Sequence, residues 1–305
     1  MLRGQNPSPS TPPSPDASVR STDTDALLSR VSASSLSYFS DPFASLFLPQ
    51  SLLRSTTSTK RPPLINIGTH ARTWAIDQLV EQFLNAGVGQ VLSLGAGTDT
   101  RFWRLKEKFK EEERRWNCKR WVEVDFEEAT AQKARIIAGK ELLKESLGGA
   151  MKIEYGGTGL TSPSYSLLPS DLRSFASLSK ILTSPPPSEP NSSPLLDPSI
   201  PTLLLAECVL VYLPPETTSE ILRWFKKHFD SGSVVSYDPF GLDDSFGKVM
   251  IRNLATRNLA LPGASATPTL ESLSARLLQA GLSSASSLSI ADIRKSIIPS
   301  QEIDR

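Results

Sequence analysis

The chain has 305 residues, with 33 basic and 32 acidic side chains and a formal net charge of +1. That balance argues against a generic nucleic-acid binder, which presents a basic face, and no apolar run approaches membrane-spanning length. The N-terminal "MLRGQNPSPSTPPSPD" lacks the apolar centre of an export signal, so a cytoplasmic location is expected.

Residues 1–25 are rich in Ser, Pro, Thr and Asp and read as a disordered tail. Residues 26–305 are expected to form the folded domain. Ile76, Leu79, Val80, Phe83 and Leu84 follow helical spacing and give one apolar stripe. "QVLSL" (90–94) reads as a buried strand that breaks at Gly95-Ala96-Gly97 before a helix over "TRFWRLKEKF". "RWVEVDF" is a strand ending near Asp125, and "EEATAQKARIIAGKELL" a helix whose first acids suit its dipole. "YSLLPSDL" reads as a short strand leading to Asp171. Residues 183–201, "TSPPPSEPNSSPLLDPSIP", read as a Pro/Ser-rich surface insertion.

"TLLLAECVLVYL" is nearly continuous in apolar residues, as in a central strand covered on both faces. Pro214-Pro215-Glu216 starts a helix over "TTSEILRWFKKHF". "SVVSYD" is a further strand and "DDSFGKVMIRNLATRNL" a further helix. "TLESLSARLLQAGL" is a helix ending at Gly281, followed by a weak strand, "ASSLSI". This alternation predicts an α/β, doubly wound, Rossmann-like sheet with helices on both faces, and ligands beyond the carboxyl ends of its strands. Cys118, Cys208, His70 and His228 are scattered, so neither a disulfide framework nor a zinc set is expected.

The glycine turn poses the question of which cofactor it holds. Gly95 and Gly97 fit the start of a dinucleotide fingerprint, but Thr100 replaces its third glycine. Asp125 ends the next strand, where an acid can accept from ribose hydroxyls; taken alone, it reads better as a solvated acid at a strand end. Asp99 would repel a pyrophosphate at the helix N-terminus, where it also makes a plausible cap. S-adenosylmethionine carries no phosphate and has a cationic methionine end. A methyl donor is therefore preferred to a dinucleotide, and an NAD-dependent oxidoreductase is the weaker enzyme alternative.

"RPPLINIGTHARTWAIDQLV", "VLSLGAGTDTRFWRL", "VEVDF", "SDLR", "PTLLLAECVLVYL" and "FGKVMIRNL", in this order, resemble the leucine carboxyl methyltransferases in their fungal form. The resemblance implies a cytosolic enzyme with the seven-stranded methyltransferase fold. It also implies methylation of the C-terminal leucine carboxylate of the protein phosphatase 2A catalytic subunit. It gives Arg72 to the donor's carboxylate, Gly95 to close backbone approach, Asp125 to the ribose, Asp171 and Leu172 to the adenine, and Glu207 to the methionine ammonium. Each has a plainer reading: Arg72 as a surface charge at a helix start, Asp171 as a helix cap. Glu207 is hardest to dismiss, because a charge inside an apolar strand is costly unless paired.

Tyr212 and Tyr237, just past strand ends, and Arg173 are candidates for the acceptor side; core or rim aromatics are the plainer reading of the two tyrosines. Where relatives carry a basic residue and a glycine before the aromatic of "SYFSDPF", this chain has Leu36 and Ser37. Relatives also continue beyond "PSQEIDR" into a final antiparallel strand. A truncated chain with an exposed sheet edge is therefore expected, and an inactive relative that binds the donor or the phosphatase is the alternative from another class. A peptide α-carboxylate, with a pKa of about 3.5, is already ionised at neutral pH, so the acceptor needs no general base.

Overall fold

The computed structural model describes residues 14–49, 52 and 60–303. Its sheet contains β1 (Gly89–Leu94), β2 (Cys118–Asp125), β3 (Lys152–Glu154), β4 (Gly159–Thr161), β5 (Tyr165–Pro169), β6 (Thr202–Glu207) and β7 (Gly232–Tyr237). The spatial order is β3-β4-β5-β2-β1-β6-β7. β5, β2, β1, β6 and β7 run parallel, while β4 is antiparallel to both β3 and β5. The α/β doubly wound class is thus the observed one, and the β3–β4 pair is an addition that the sequence pattern did not reveal.

The helices are α1 (Pro15–Ser35), α2 (Pro63–Asn85), α3 (Arg101–Glu111), α4 (Glu127–Ala138), α5 (Glu141–Lys144) and α6 (Phe175–Leu182). They continue with α7 (Pro215–His228), α8 (Ser245–Thr256), α9 (Leu270–Gln279), α10 (Ile290–Ser296) and α11 (Ser300–Ile303). Side-chain alternation divides the core by sheet face. Val91, Leu203 and Leu205 pack with Leu27 and Leu28 of α1, Ile76 and Val80 of α2, and Phe102 and Trp103 of α3. Leu92, Leu94, Val122, Val124 and Leu204 face the other way, against Phe175, Ile221, Phe225 and Leu277. Among the described residues no helix is long and apolar enough to cross a membrane.

The expected tail is overturned from residue 14 onward; residues 1–13 lie outside the described residues. Ser14 Oγ accepts from Ala17 N at 3.2 Å, Pro15 opens α1, and Asp16 sits in its first turn. The polar residues that suggested disorder are helix-starting chemistry here, and burial of Leu27 and Leu28 anchors the helix. Residues 183–201 do form an irregular connection, but they are not merely surface. Leu195 and Leu196 enter the core, and the Gln90 amide exchanges hydrogen bonds with the Asp197 backbone.

"ASSLSI" forms no strand. Ser289 Oγ instead accepts from Asp292 N at 3.0 Å and starts α10, so local capping prevails over weak strand propensity. β7 forms one edge of the sheet, and no described residue pairs with its outer side.

Asp238 directly follows β7 and has a fully buried side chain. It accepts from Arg276 of α9 at 3.0 Å and from Val211 N at 3.2 Å, tying α9 and the 210–212 turn to the sheet. Asp238→Ala leaves Arg276 without its counter-charge, and the expected loss is about 3–5 kcal/mol in denaturant unfolding. Wild-type stability in that variant would show that this pair does not hold α9 in place.

Candidate functional site

The chain leaves β1 to build β2 on one side and later β6 on the other, which opens a crevice at the carboxyl ends of these strands. A cavity of about 520 Å³ fills this crevice, lined by the ends of β1, β2 and β6, the segment after β5, the N-terminal half of α2, and α1 as a roof. That volume suits a small-molecule ligand.

The floor is the glycine turn. Gly95 and Gly97 have φ of +57° and +46°, a region that disfavours side chains. A Cβ on Gly95 would lie 2.5 Å from Val209 Cγ2, and one on Gly97 would lie 2.3 Å from Asp23 Oδ1. The turn is fastened from both sides. Asp125 accepts from Gly97 N at 2.6 Å and from Phe126 N at 2.7 Å. Burial pushes its carboxyl up to about 6, against the opposing pull of those two backbone donors. From α1, Asp23 accepts from Thr98 N at 2.8 Å and Thr98 Oγ1 at 2.7 Å, while Arg30 donates to the Thr98 carbonyl at 2.9 Å.

A buried ion network forms one wall. Glu207, at the end of β6, accepts from Arg72 on one oxygen and from Arg101 on the other, the latter at 2.9 Å. Arg101 also donates to Asp77 at 2.7 Å and to Asp99 at 2.5 Å. Arg104 grips Asp77 at 2.6 and 3.2 Å. Burial alone would raise the Glu207 carboxyl, but Arg72 and Arg101 overcome it and hold the group well below the usual carboxylate range. Asp99 is likewise lowered: burial opposes, and Arg101 prevails.

The expected donor residues converge on this cavity: Arg72, Gly95, Asp125, Asp171, Leu172 and Glu207 all line it. Arg72 lies in the third turn of α2 rather than at its start, with its guanidinium 4.9 Å from the centre of the Tyr237 ring. Glu207 meets two arginines of the chain itself, so internal pairing already accounts for its burial. Asp171 caps the short 3-10 turn Leu172–Ser174 by accepting from Arg173 N at 2.9 Å, and its plainer reading is thereby realised.

On the acceptor side, Tyr212 lines the cavity, whereas Tyr237 reaches it only through Arg72. Arg173 also lines it, but its guanidinium is engaged by Asp16 at 2.9 Å and Asp171 at 2.6 Å. Leu36 and Ser37 do not line the cavity. His70 contacts Glu302 at 3.3 Å, and among the described residues no cluster could hold a metal ion. Burial pushes the Cys118 and Cys208 thiols up to about 12 and about 11.

Sequence reasoning missed the α1 contributors Asp16, Asp23 and Arg30, and it missed Arg101. Arg101 stands inside a quoted motif, but nothing in its spacing distinguished it from a solvated helix charge. The α1 residues could have been found from the Ser14-Pro15-Asp16 start signal and the Leu27-Leu28 pair.

Comparison with known proteins gives the family of the chain. The family model described as leucine carboxyl methyltransferase matches residues 18–226. Leucine carboxyl methyltransferase 1 of Cryptococcus neoformans is 43% identical over 97% of this chain and 89% of its own length. The Schizosaccharomyces pombe protein of that name is 34% identical over 94% and 86%, and that of Bos taurus is 34% identical over 95% and 82%. Among solved structures, an O-methyltransferase described as putative, from Nostoc punctiforme, aligns over 85% of this chain and 66% of that chain. Its identity is 14% and its TM-score 0.40, too loose a likeness to bear on function. The chain belongs to the leucine carboxyl methyltransferase family and is a methyltransferase that uses S-adenosylmethionine as methyl donor.

Proposed function

We propose that the cavity binds S-adenosylmethionine and that the enzyme methylates the C-terminal leucine α-carboxylate of the protein phosphatase 2A catalytic subunit in the cytoplasm. Family membership supports a leucine carboxyl group as acceptor; the phosphatase comes from the sequence resemblance. The observation that carries the donor assignment is the Arg72–Glu207 pair at the cavity wall. A methionine end brings one carboxylate and one ammonium, so it can replace this pair by matching each charge: carboxylate to Arg72, ammonium to the Glu207 oxygen that Arg72 leaves. Arg101 keeps the other oxygen, because Asp77 and Asp99 fix it in place. Asp125 accepts from the ribose hydroxyls, and Asp171 and Leu172 border the adenine.

A dinucleotide fits poorly. Its pyrophosphate needs free N–H groups at the start of α3. Here Asp23 occupies Thr98 N, and Asp99 occupies Arg101 N at 3.0 Å.

The chemistry asks little of the side chains as acids or bases. The acceptor carboxylate attacks the methyl carbon as the methyl–sulfur bond breaks, giving a methyl ester and S-adenosylhomocysteine. No proton moves, so what the protein supplies is in-line placement and exclusion of water. The α1 roof and Leu172 provide the exclusion, and Tyr212 borders the acceptor path. The decisive test is methyl transfer to a phosphatase-tail peptide ending in free leucine, beside the same peptide amidated. Only the free acid is expected to react; equal labelling of both would overturn the acceptor assignment.

Two residue tests follow. Arg72→Lys keeps the charge but loses the two-pronged grip, so S-adenosylhomocysteine affinity is expected to fall by about tenfold in calorimetric titration. Equal affinity would remove Arg72 from the carboxylate contact.

Asp125 titrates near 6 in the fold, above its ordinary 3.8. Folding therefore favours its neutral form, and the stability it contributes is complete below 3.8 and lost as pH rises through 6. In ligand-free Asp125→Asn, the associated fall in stability between pH 4 and 7, about 2–3 kcal/mol, is expected to vanish. The same variant is expected to bind S-adenosylhomocysteine more weakly by about 1.5–3 kcal/mol. An unaltered pH slope together with unaltered affinity would contradict the assignment.

A further inference from the structure

Beneath the donor cavity lies a buried ionic cluster that the donor and acceptor assignments leave unused. Glu123 precedes Asp125 by two residues on β2 and is fully buried, as are Lys133 of α4 and Tyr165 of β5. Lys133 Nζ donates to Glu123 Oε2 at 2.5 Å, and Tyr165 Oη donates to the same oxygen at 2.5 Å. Glu123 Oε1 has no hydrogen-bond partner among the described residues. The Lys133 ammonium also lies 5.6 Å from the Trp103 ring and 5.8 Å from that of Phe47.

Stability is a weak reason for such a cluster. Apolar side chains of similar volume commonly serve as well or better than a buried ion pair. What apolar groups cannot do is reach a backbone acceptor. Lys133 Nζ donates to the Asp99 carbonyl at 2.8 Å, where the glycine turn passes into α3. Asp99 is thereby fixed at three points: its N–H donates to the Ala96 carbonyl at 2.8 Å, its carboxylate holds Arg101, and its carbonyl is held by Lys133. Arg101 in turn holds Glu207. The turn contains two glycines of positive φ, so its own backbone preferences constrain it little.

We propose that Lys133 is a positioning residue for the methyl donor: neutralised by Glu123, it clamps the Asp99 carbonyl and so fixes the glycine turn and Arg101 for the donor's methionine end. This rests on the donor assignment above. Tyr165 donates to Glu123 and, among the described residues, has no hydrogen bond to the turn, so it separates clamping from general support of the core.

The experiment uses the full chain, with S-adenosylmethionine and a peptide ending in free leucine. Donor KM, acceptor KM and kcat are measured beside S-adenosylhomocysteine titration and thermal melting. Lys133→Met combined with Glu123→Leu removes both charges and keeps an apolar filling. The double variant strands the Tyr165 hydroxyl and is expected to melt below wild type, as Tyr165→Phe does, but unlike Tyr165→Phe to show donor KM and S-adenosylhomocysteine Kd raised by about tenfold, with acceptor KM and kcat unchanged. Tyr165→Phe is expected to lower the melting temperature and leave donor KM unchanged. The proposal is overturned if the double variant binds donor as wild type does. It is equally overturned if Tyr165→Phe, where fully folded, raises donor KM, since the cluster would then act through core stability alone. Failure of the wild-type chain to bind S-adenosylhomocysteine would count against the donor assignment instead, before any variant is compared.

Discussion

Glu207 held between Arg72 and Arg101 is the interaction on which the site depends. An acid at the end of a buried strand is costly unless paired, and removing one partner of such a set is worse than never having built it. Here pairing recruits α2 through Arg72 and Asp77, α3 through Arg101 and Arg104, and the glycine turn through Asp99. The same charges that make β6 tolerable therefore set the distance between the helices flanking the cavity. The two arginines are not equivalent. Arg101 is fixed by three acids, whereas among the described residues Arg72 has an ion pair with Glu207 alone and stacks on Tyr237. Arg72 is accordingly the member whose partner can be exchanged for a ligand's carboxylate.

The roof and the floor of the cavity are made for each other. Gly97 has no side chain at the point where Asp23 of α1 comes down to Thr98, and a Cβ there would occupy the place of the Asp23 carboxylate. Further out, α1 is held by exposed pairs, Asp16 with Arg173 and Asp25 with Arg257, each worth about 0–1 kcal/mol. The inner ties to Thr98 are part-buried, and together with buried Leu27 and Leu28 they hold α1 more firmly than these exposed pairs do.

Apart from the β3–β4 pair, the order of strands and helices from residue 63 to 279 was legible because its signals are local. Apolar runs, acids at helix starts and the Gly95–Gly97 break each act within a few residues. Gly95, Asp125, Asp171 and Glu207 could be placed because a parallel sheet sends its strand ends to one crevice, whereas Arg72, on α2, was placed by the family resemblance alone. α1 was hidden because Ser, Pro and Asp carry two meanings: a composition that disfavours a core is also the composition of a helix start. "ASSLSI" failed the other way, since Ser289 caps a helix instead of pairing in a strand. Glu123 carried the same signal as Glu207, an acid inside an apolar strand, but its partners, Lys133 and Tyr165, come from separate elements.

The sequence by itself determined the doubly wound sheet, the glycine turn at its switch point, the preference for a methyl donor over a dinucleotide, and the family. The first three rest on backbone preferences and charge types that do not depend on distant neighbours, and the family on the resemblance of its sequence blocks. The tertiary structure alone decided which charges neutralise which. Arg101 joins Glu207 across more than a hundred residues of chain, Asp23 reaches Thr98 from a segment that reads as tail, and Lys133 finds the Asp99 carbonyl beneath the turn. A buried charge accepts whichever partner the fold brings within hydrogen-bond reach, and that proximity is a property of packing which no local pattern encodes.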